Sequence, residues 1–315
     1  MLEFNLNFFI LFFLAGFFFT YLTAKYSKFF FSGSLLDQDF LKPQAFHRAP
    51  IARIGGLAVI FLFSLFVLFY FLIFDIFLKD YFVVSLLLFF LGFLDDLKVK
   101  INPNIRLILM LTIIVFCINI FSIQITKSGL EFLNLWLENS IFQICFVMLS
   151  FLFIVNGANL VDGFNGLLAI HFLLINFILL LINLHNLNEN ISIILFSQII
   201  IVLTFLLFNF PKARIFLGDS GSYLLGSLIV LNTIKTYELN PQISPFFFAA
   251  VLFYLFYEVL FSFVRKVLLK KSPLHPDKFH LHMLLYMRIS SLKKKENSNY
   301  LTSLIINFCY LILQI

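Results

Sequence analysis

Five short polar segments in this chain carry residue types that do chemistry, and each sits at the edge of a strongly apolar run. The densest is 156–166, Asn-Gly-Ala-Asn-Leu-Val-Asp-Gly-Phe-Asn-Gly, with Asn156, Asn159, Asp162 and Asn165 set among three glycines. Glycine lets a backbone come close to a ligand, while Asn and Asp offer amide and carboxylate oxygens to a polar substrate or a hard cation. Asp95 and Asp96 close a second run, and acids at the end of an apolar helix must be hydrated, paired or metal-bound. Gly218-Asp219-Ser220-Gly221-Ser222 places a carboxylate in a turn that starts a helix, suited to a cation, to an anion at the backbone N–H groups, or simply to an Asp N-cap. In 42–56, His47, Arg48 and Arg53 precede the pair Gly55-Gly56, a composition for binding phosphate or anchoring to anionic lipid. The segment 265–282 holds Lys278 and three of the six histidines, His275, His280 and His282. Zinc would want further Cys or Glu ligands, so hydrogen bonding to phosphate is the expectation for this basic His segment.

The elements that must position these residues are membrane spans. Hydrophobic residues make up 62% of the 315 and charged residues 12%, against about 45–50% and 25% in soluble domains. Apolar runs at about 4–24, 54–74, 81–94, 105–123, 141–155, 167–184, 191–210, 220–235, 244–264 and 301–315 read as ten spans. The expected fold is therefore all-α, a polytopic integral membrane protein of about ten transmembrane helices forming one membrane-embedded domain over 1–315. The first run follows Glu3 without a basic flank and reads as a retained span rather than a signal peptide. Alternating spans put 19 of the 22 Lys and Arg on one face, leaving Lys79, Lys127 and Lys235 on the other. The positive-inside rule makes the first face cytoplasmic and both termini outside. Every polar segment above falls on that same face. The 48 Phe suit lipid-facing surface, and Cys117, Cys145 and Cys309 read as small buried hydrophobes.

Taken together and in order, Asp95-Asp96, Asn156-x-x-Asn159-x-x-Asp162-Gly, Phe216-x-Gly218-Asp219-x-Gly221-Ser222 and Pro276-Asp277-x-x-His280-x-His282 resemble one family. It is the polyprenyl-phosphate N-acetylhexosamine-1-phosphate transferases, and the resemblance spans about 39–288. It implies transfer of a sugar 1-phosphate from a UDP-N-acetylhexosamine to a polyprenyl phosphate such as undecaprenyl phosphate, with release of UMP. It also implies Mg²⁺, with Mn²⁺ able to substitute, and a bacterial inner membrane with the active site on the cytoplasmic side. By similarity Asp219 is the foremost metal ligand, with Asp95 and Asp96 at the metal or activating the acceptor phosphate. Asn156, Asn159, Asp162 and Asn165 fall to the nucleotide and the chemistry; His280, His282, His47, Arg53, Lys98 and Lys278 fall to the phosphates. A phosphate monoester is already mostly ionised near neutral pH, which favours direct displacement over a covalent intermediate. The partners implied are the sugar nucleotide, the polyprenyl phosphate and the bilayer; no nucleic acid is expected, and a homodimer is allowed.

The chain departs from the common pattern at Ala52, where Pro is frequent, at Asn165, where a second Asp is frequent, and at Met283. His280-Leu-His282-Met283 replaces the run of consecutive His typical of the branch that handles UDP-MurNAc-pentapeptide. That resembles the branch starting lipopolysaccharide, capsule or teichoic-acid glycans with GlcNAc. The pentapeptide transferase, a polyprenyl-lipid transporter and an inactive scaffold remain as alternatives. Transporters place polar sites at mid-membrane in broken helices, whereas these acids lie at span ends. Glu258 inside the ninth span, seven residues before Arg265, reads as a structural pairing acid, and His171 as a hydrogen-bonded core histidine.

Overall fold

The helix that begins at Gly218 is polar for its length and yet the most deeply enclosed of the described long helices, with 17 of its 22 residues buried. That enclosure organises the molecule. The computed structural model describes residues 6–27, 29–37, 50–99, 101–272, 279–292 and 295–314. His47, Lys278, His275 and Asp277 lie outside the described residues. In order the elements are α1 (Leu6–Tyr26), β1 (Leu36–Asp37), β2 (Ile51–Ala52), α2 (Gly55–Phe74), α3 (Lys79–Asp96), α4 (Pro103–Phe121), α5 (Glu131–Leu137) and α6 (Ser140–Val161). There follow α7 (Leu167–His185), α8 (Glu189–Asn209), α9 (Gly218–Leu239), α10 (Pro245–Leu268), α11 (Leu281–Leu292) and α12 (Lys295–Gln314). The protein is an all-α polytopic membrane protein.

Each of the ten apolar runs falls on a helix, and seven of these helices are long and apolar enough to cross a bilayer by themselves. The exceptions are α3, α9 and α12. Charged ends account for α3, which starts at Lys79-Asp80 and finishes at Asp95-Asp96. α9 is polar because protein, not lipid, surrounds it, and neighbouring helices satisfy its side chains. Asn232 donates to Asn176 Oδ1 on α7 at 2.9 Å and to Gln198 Oε1 on α8 at 2.6 Å. Nearer its C-terminus, Thr236 Oγ1 accepts from Asn183 at 2.9 Å. In the sequence these amides stand only as isolated polar positions within apolar runs.

Local signals set several helix starts. Asn102 caps α4 ahead of Pro103, Asn139 caps α6, and Ser244 caps α10 ahead of Pro245. At the other end, α6 continues to Val161, so Asn156 and Asn159 ride on its last turns and only 162–166 forms the connection. The span expected to end at 155 therefore continues as helix to Val161; the buried Val155, Ala158 and Val161 keep the helix packed that far.

α3 and α9 lie side by side, and glycine permits it. A Cβ on Gly92 would come within 2.4 Å of the Asp219 carbonyl oxygen. Gly218 combines φ of +81° with no room for a side chain, because Asp96 Oδ2 would lie 2.6 Å from its Cβ. Gly55 and Gly56, read as a candidate phosphate cradle, donate their N–H groups to Phe216 O and Leu217 O at 2.8 Å. They dock α2 on the approach to α9. β1 and β2 pair antiparallel, and Ala52 also bridges to Ile215, which ties the Arg53 backbone to the same place. The cysteine expectation holds for Cys117 alone; Cys145 and Cys309 are exposed on the apolar surface.

Candidate active site

Asp219 sits in the first turn of α9, and its carboxylate does not cap that helix. The cap comes from Asp96 at the last residue of α3. Asp96 Oδ1 accepts from Asp219 N at 2.9 Å, while Oδ2 accepts from Ser220 N at 2.9 Å and Ser220 Oγ at 2.6 Å. A buried anion thus meets the positive end of a helix and three donors at once. This trans cap leaves the Asp219 side chain for other partners.

Those partners hold it in place without covering it. Asn159 Nδ2 donates to Asp219 Oδ1 at 3.1 Å and to Ser222 Oγ at 3.0 Å. Arg53 Nη1 lies 3.9 Å from Asp219 Oδ1 and 3.8 Å from Asp96 Oδ1, while its Nη2 bonds to Asp37 at 2.8 Å. Burial opposes the Arg53 charge, but Asp219, Asp37 and Asp96 outweigh it and hold its pKa above the ordinary arginine value. The Asp219 side chain keeps 29% of its surface exposed. It faces outward at one end of the bundle.

Asp162 follows α6 at the C-cap position and is partly buried. Burial pushes its pKa well above the usual carboxylate range, and the nearby charge of Asp219 pushes it further. Among the described residues no hydrogen bond or ion pair reaches its carboxylate. Asp162 and Asp219 are the carboxylates here that could take a hard divalent cation. No group of three or more His, Cys, Asp or Glu is placed to enclose a metal among the described residues.

Of the other expected residues, Asp95 pairs with Arg106 Nη1 at 2.6 Å. Lys98 Nζ donates to Leu36 O at 3.1 Å, beside the Asp37 that holds Arg53. Asn156 is turned away, donating to Leu152 O at 2.8 Å and to Met110 sulfur at 3.4 Å. Asn165 is also directed elsewhere, to Pro211 O at 3.0 Å, and its N–H donates to Asn299 on α12 at 2.9 Å. His280 and His282 both meet Glu258, at 3.1 and 3.2 Å through their Nδ1 atoms. Glu258 is therefore a pairing acid as expected, with the histidines as its partners. His171 is a buried core histidine bonded through Nδ1 to Asn307 at 3.2 Å.

Sequence reading passed over Asp37 and gave Arg106 no role. Arg106 carried a usable signal, since it is a lone cation in the apolar run of α4 and such a charge needs a partner. Asp37 carried none, because its bond to Arg53 spans 16 residues with nothing periodic between.

Residues 79–237, from α3 through most of α9, match glycosyl transferase family 4. Over 283 residues the chain is 30% identical to an undecaprenyl-phosphate alpha-N-acetylglucosaminyl 1-phosphate transferase of Thermotoga maritima, covering 87% of this chain and 80% of that protein. It is 29% identical over 199 residues to a phospho-N-acetylmuramoyl-pentapeptide-transferase of Clostridioides difficile, covering 59% of this chain and 62% of that one. A decaprenyl-phosphate N-acetylglucosaminephosphotransferase of Mycobacterium leprae is 33% identical over 149 residues, 41% of this chain and 37% of the relative. The matched region contains Asp95, Asp96, Asn159, Asp162 and Asp219, the residues that meet at the end of the bundle. On that match and on the likeness that runs through most of the Thermotoga protein, the chain belongs to glycosyl transferase family 4.

Proposed function

We propose that the protein transfers N-acetylglucosamine 1-phosphate, or a closely related N-acetylhexosamine 1-phosphate, from the UDP-sugar to undecaprenyl phosphate with release of UMP. The observation that carries this reading is the partly exposed Asp219 carboxylate, held by Asn159 and Arg53 beside Asp162 at the end of a membrane bundle. A water-soluble sugar nucleotide and a lipid phosphate can meet only at such a boundary. An oxygen of the lipid phosphate attacks the sugar-bearing phosphorus of the donor. A new P–O bond forms, the bond from that phosphorus to the bridging oxygen breaks, and UMP departs with the oxygen.

The residues suit this displacement. Arg53, restrained by Asp37, presents guanidinium charge to the phosphates, with Lys98 nearby as a second cation. Asp219 and Asp162 are the groups that would hold Mg²⁺; Asp96 has its oxygens committed to α9 and Asp95 is paired with Arg106. When bound, Mg²⁺ neutralises charge where the two phosphates converge. Asn159 keeps the Asp219 carboxylate at a set angle.

The assay is purified protein in lipid nanodiscs with undecaprenyl phosphate and either UDP-GlcNAc or UDP-MurNAc-pentapeptide, measuring UMP and lipid product. UDP-GlcNAc is expected to be used, chelation by EDTA to abolish turnover, and added Mg²⁺ to restore it. The second donor is a real competitor because a pentapeptide transferase is among the relatives; the His280-Leu-His282-Met283 sequence favours GlcNAc. Efficient use of the pentapeptide donor would overturn the sugar assignment, and turnover in EDTA would overturn the metal.

The site end of the bundle is assigned to the cytoplasm on the asymmetry of Lys and Arg. In a background lacking the three native cysteines, Lys98→Cys is expected to react with an impermeant thiol reagent from the cytoplasmic side and Lys127→Cys from the other. Labelling of both from one side would end the orientation.

A further inference from the structure

Glu258 lies within the apolar helix α10 and is 1% exposed, yet three donors converge on it. His280 Nδ1 is 3.1 Å from Oε2, His282 Nδ1 is 3.2 Å from Oε1, and Leu281 N donates to Oε1 at 3.1 Å. The two imidazole rings stack at 5.4 Å with 8° between their planes. An i, i+2 pair of histidines at the start of α11 therefore straddles one carboxylate. The spacing His-Leu-His has a structural reason: it points both Nδ1 atoms and the intervening N–H the same way.

An ionised carboxylate only accepts, so each ring must carry its proton on Nδ1. That leaves Nε2 as the outward atom of His282. Among the described residues it is buried without a protein partner, a state that costs free energy unless a ligand supplies the bond. Its position points to the site. A Cβ built on Gly163 would lie 3.4 Å from this Nε2, which places the ring edge against the residue following Asp162. Phe164 from the same turn stands edge-on to the His282 ring at 5.7 Å and stacks on Tyr286 at 5.1 Å. Burial holds the His282 pKa below that of an ordinary histidine, although Glu258 pulls the other way.

Resting on the transferase reading above, we propose that Glu258 is a positioning residue that locks His282 in the Nδ1–H form, so that Nε2 accepts a hydrogen bond from a hydroxyl or N–H of the sugar nucleotide. This assigns the histidine to recognition of a neutral donor group. Phosphate binding, the expectation from the basic sequence around it, stays with Arg53 and Lys98.

The test uses the full chain in nanodiscs with ¹⁵N-labelled histidine, His282 being assigned by comparison with His282→Gln. The ligand-free wild type is expected to show His282 protonated at Nδ1 and bare at Nε2. UDP-GlcNAc should shift the Nε2 resonance, and inorganic pyrophosphate should not. In Glu258→Gln the amide can donate to one Nδ1, so at least one of the two rings is expected to move its proton to Nε2. The KM for UDP-GlcNAc should then rise about 3- to 10-fold, the value of one hydrogen bond, with a much smaller change in kcat. A wild-type His282 with its proton on Nε2, a shift produced by pyrophosphate alone, or a Glu258→Gln enzyme with an unchanged KM would each overturn the proposal. The wild-type spectra decide it even where the variant does not fold. Failure of the transferase reading looks different: the wild type would release no UMP while its tautomer pattern stood.

Discussion

Asp219→Asn is expected to lose nearly all transferase activity, about 10²- to 10⁴-fold, while unfolding at nearly the wild-type temperature. The asymmetry follows from who caps α9. The helix start is satisfied by Asp96 and has no side-chain cap of its own at Leu217, so the Asp219 carboxylate is not needed for the turn. An Asn there can still accept from Asn159 through its carbonyl oxygen. What disappears is negative charge, and a divalent cation between two phosphate groups depends on it. UMP release at saturating Mg²⁺, measured beside thermal unfolding in the same detergent, makes the comparison. Turnover near the wild-type rate would remove Asp219 from the metal and leave it a partner of Asn159 and Arg53.

Asp96→Asn should behave in the opposite way, losing stability and activity together. Its carboxylate accepts from Asp219 N, Ser220 N and Ser220 Oγ, and every one of these is a donor in the present arrangement. An amide replaces one acceptor oxygen with NH₂ and sets donor against donor in a site only 2% exposed. The expected cost is about 1–3 kcal/mol for the unsatisfied buried groups, with some added loss from the helix terminus. Because the same bonds fix the first turn of α9, Asp219 shifts with them, and a displacement of about 1 Å is worth roughly 10²-fold in rate. The measurements are the same two. A variant as stable as wild type but inactive would mean that Asp96 acts on substrate directly, and a stable, active one would mean the trans cap is dispensable.

The residues that make this a membrane enzyme were legible without coordinates because their signals are local. Ten apolar runs, the charge asymmetry between faces and the Asn, Asp and Gly clusters at span ends are properties of consecutive residues, and each run proved to be a helix. Hydrocarbon imposes the pattern: a helix facing lipid must be apolar over its length, and polar groups that survive must gather at its ends. That argument weakens for α9. Its serines, threonines and Asn232 face other helices, and no rule about lipid applies to a helix that meets none.

What the sequence determined by itself was therefore the fold class and the gathering of Asp95, Asp96, Asn159, Asp162 and Asp219 at span ends as one polar set. Only the tertiary structure divided the labour among them. Five acids and amides of similar type look alike in one dimension, since each can hold a cation, cap a helix or pair with a base. The choice depends on what stands opposite. Asp96 meets the N-terminus of a helix 123 residues later, Asp95 meets Arg106, Glu258 meets two imidazoles from beyond the end of α10, and Asp219 is left facing solvent. Those partners are brought together by packing of helices far apart in the chain, and the energy of a buried charge is set by its neighbours in space rather than in sequence.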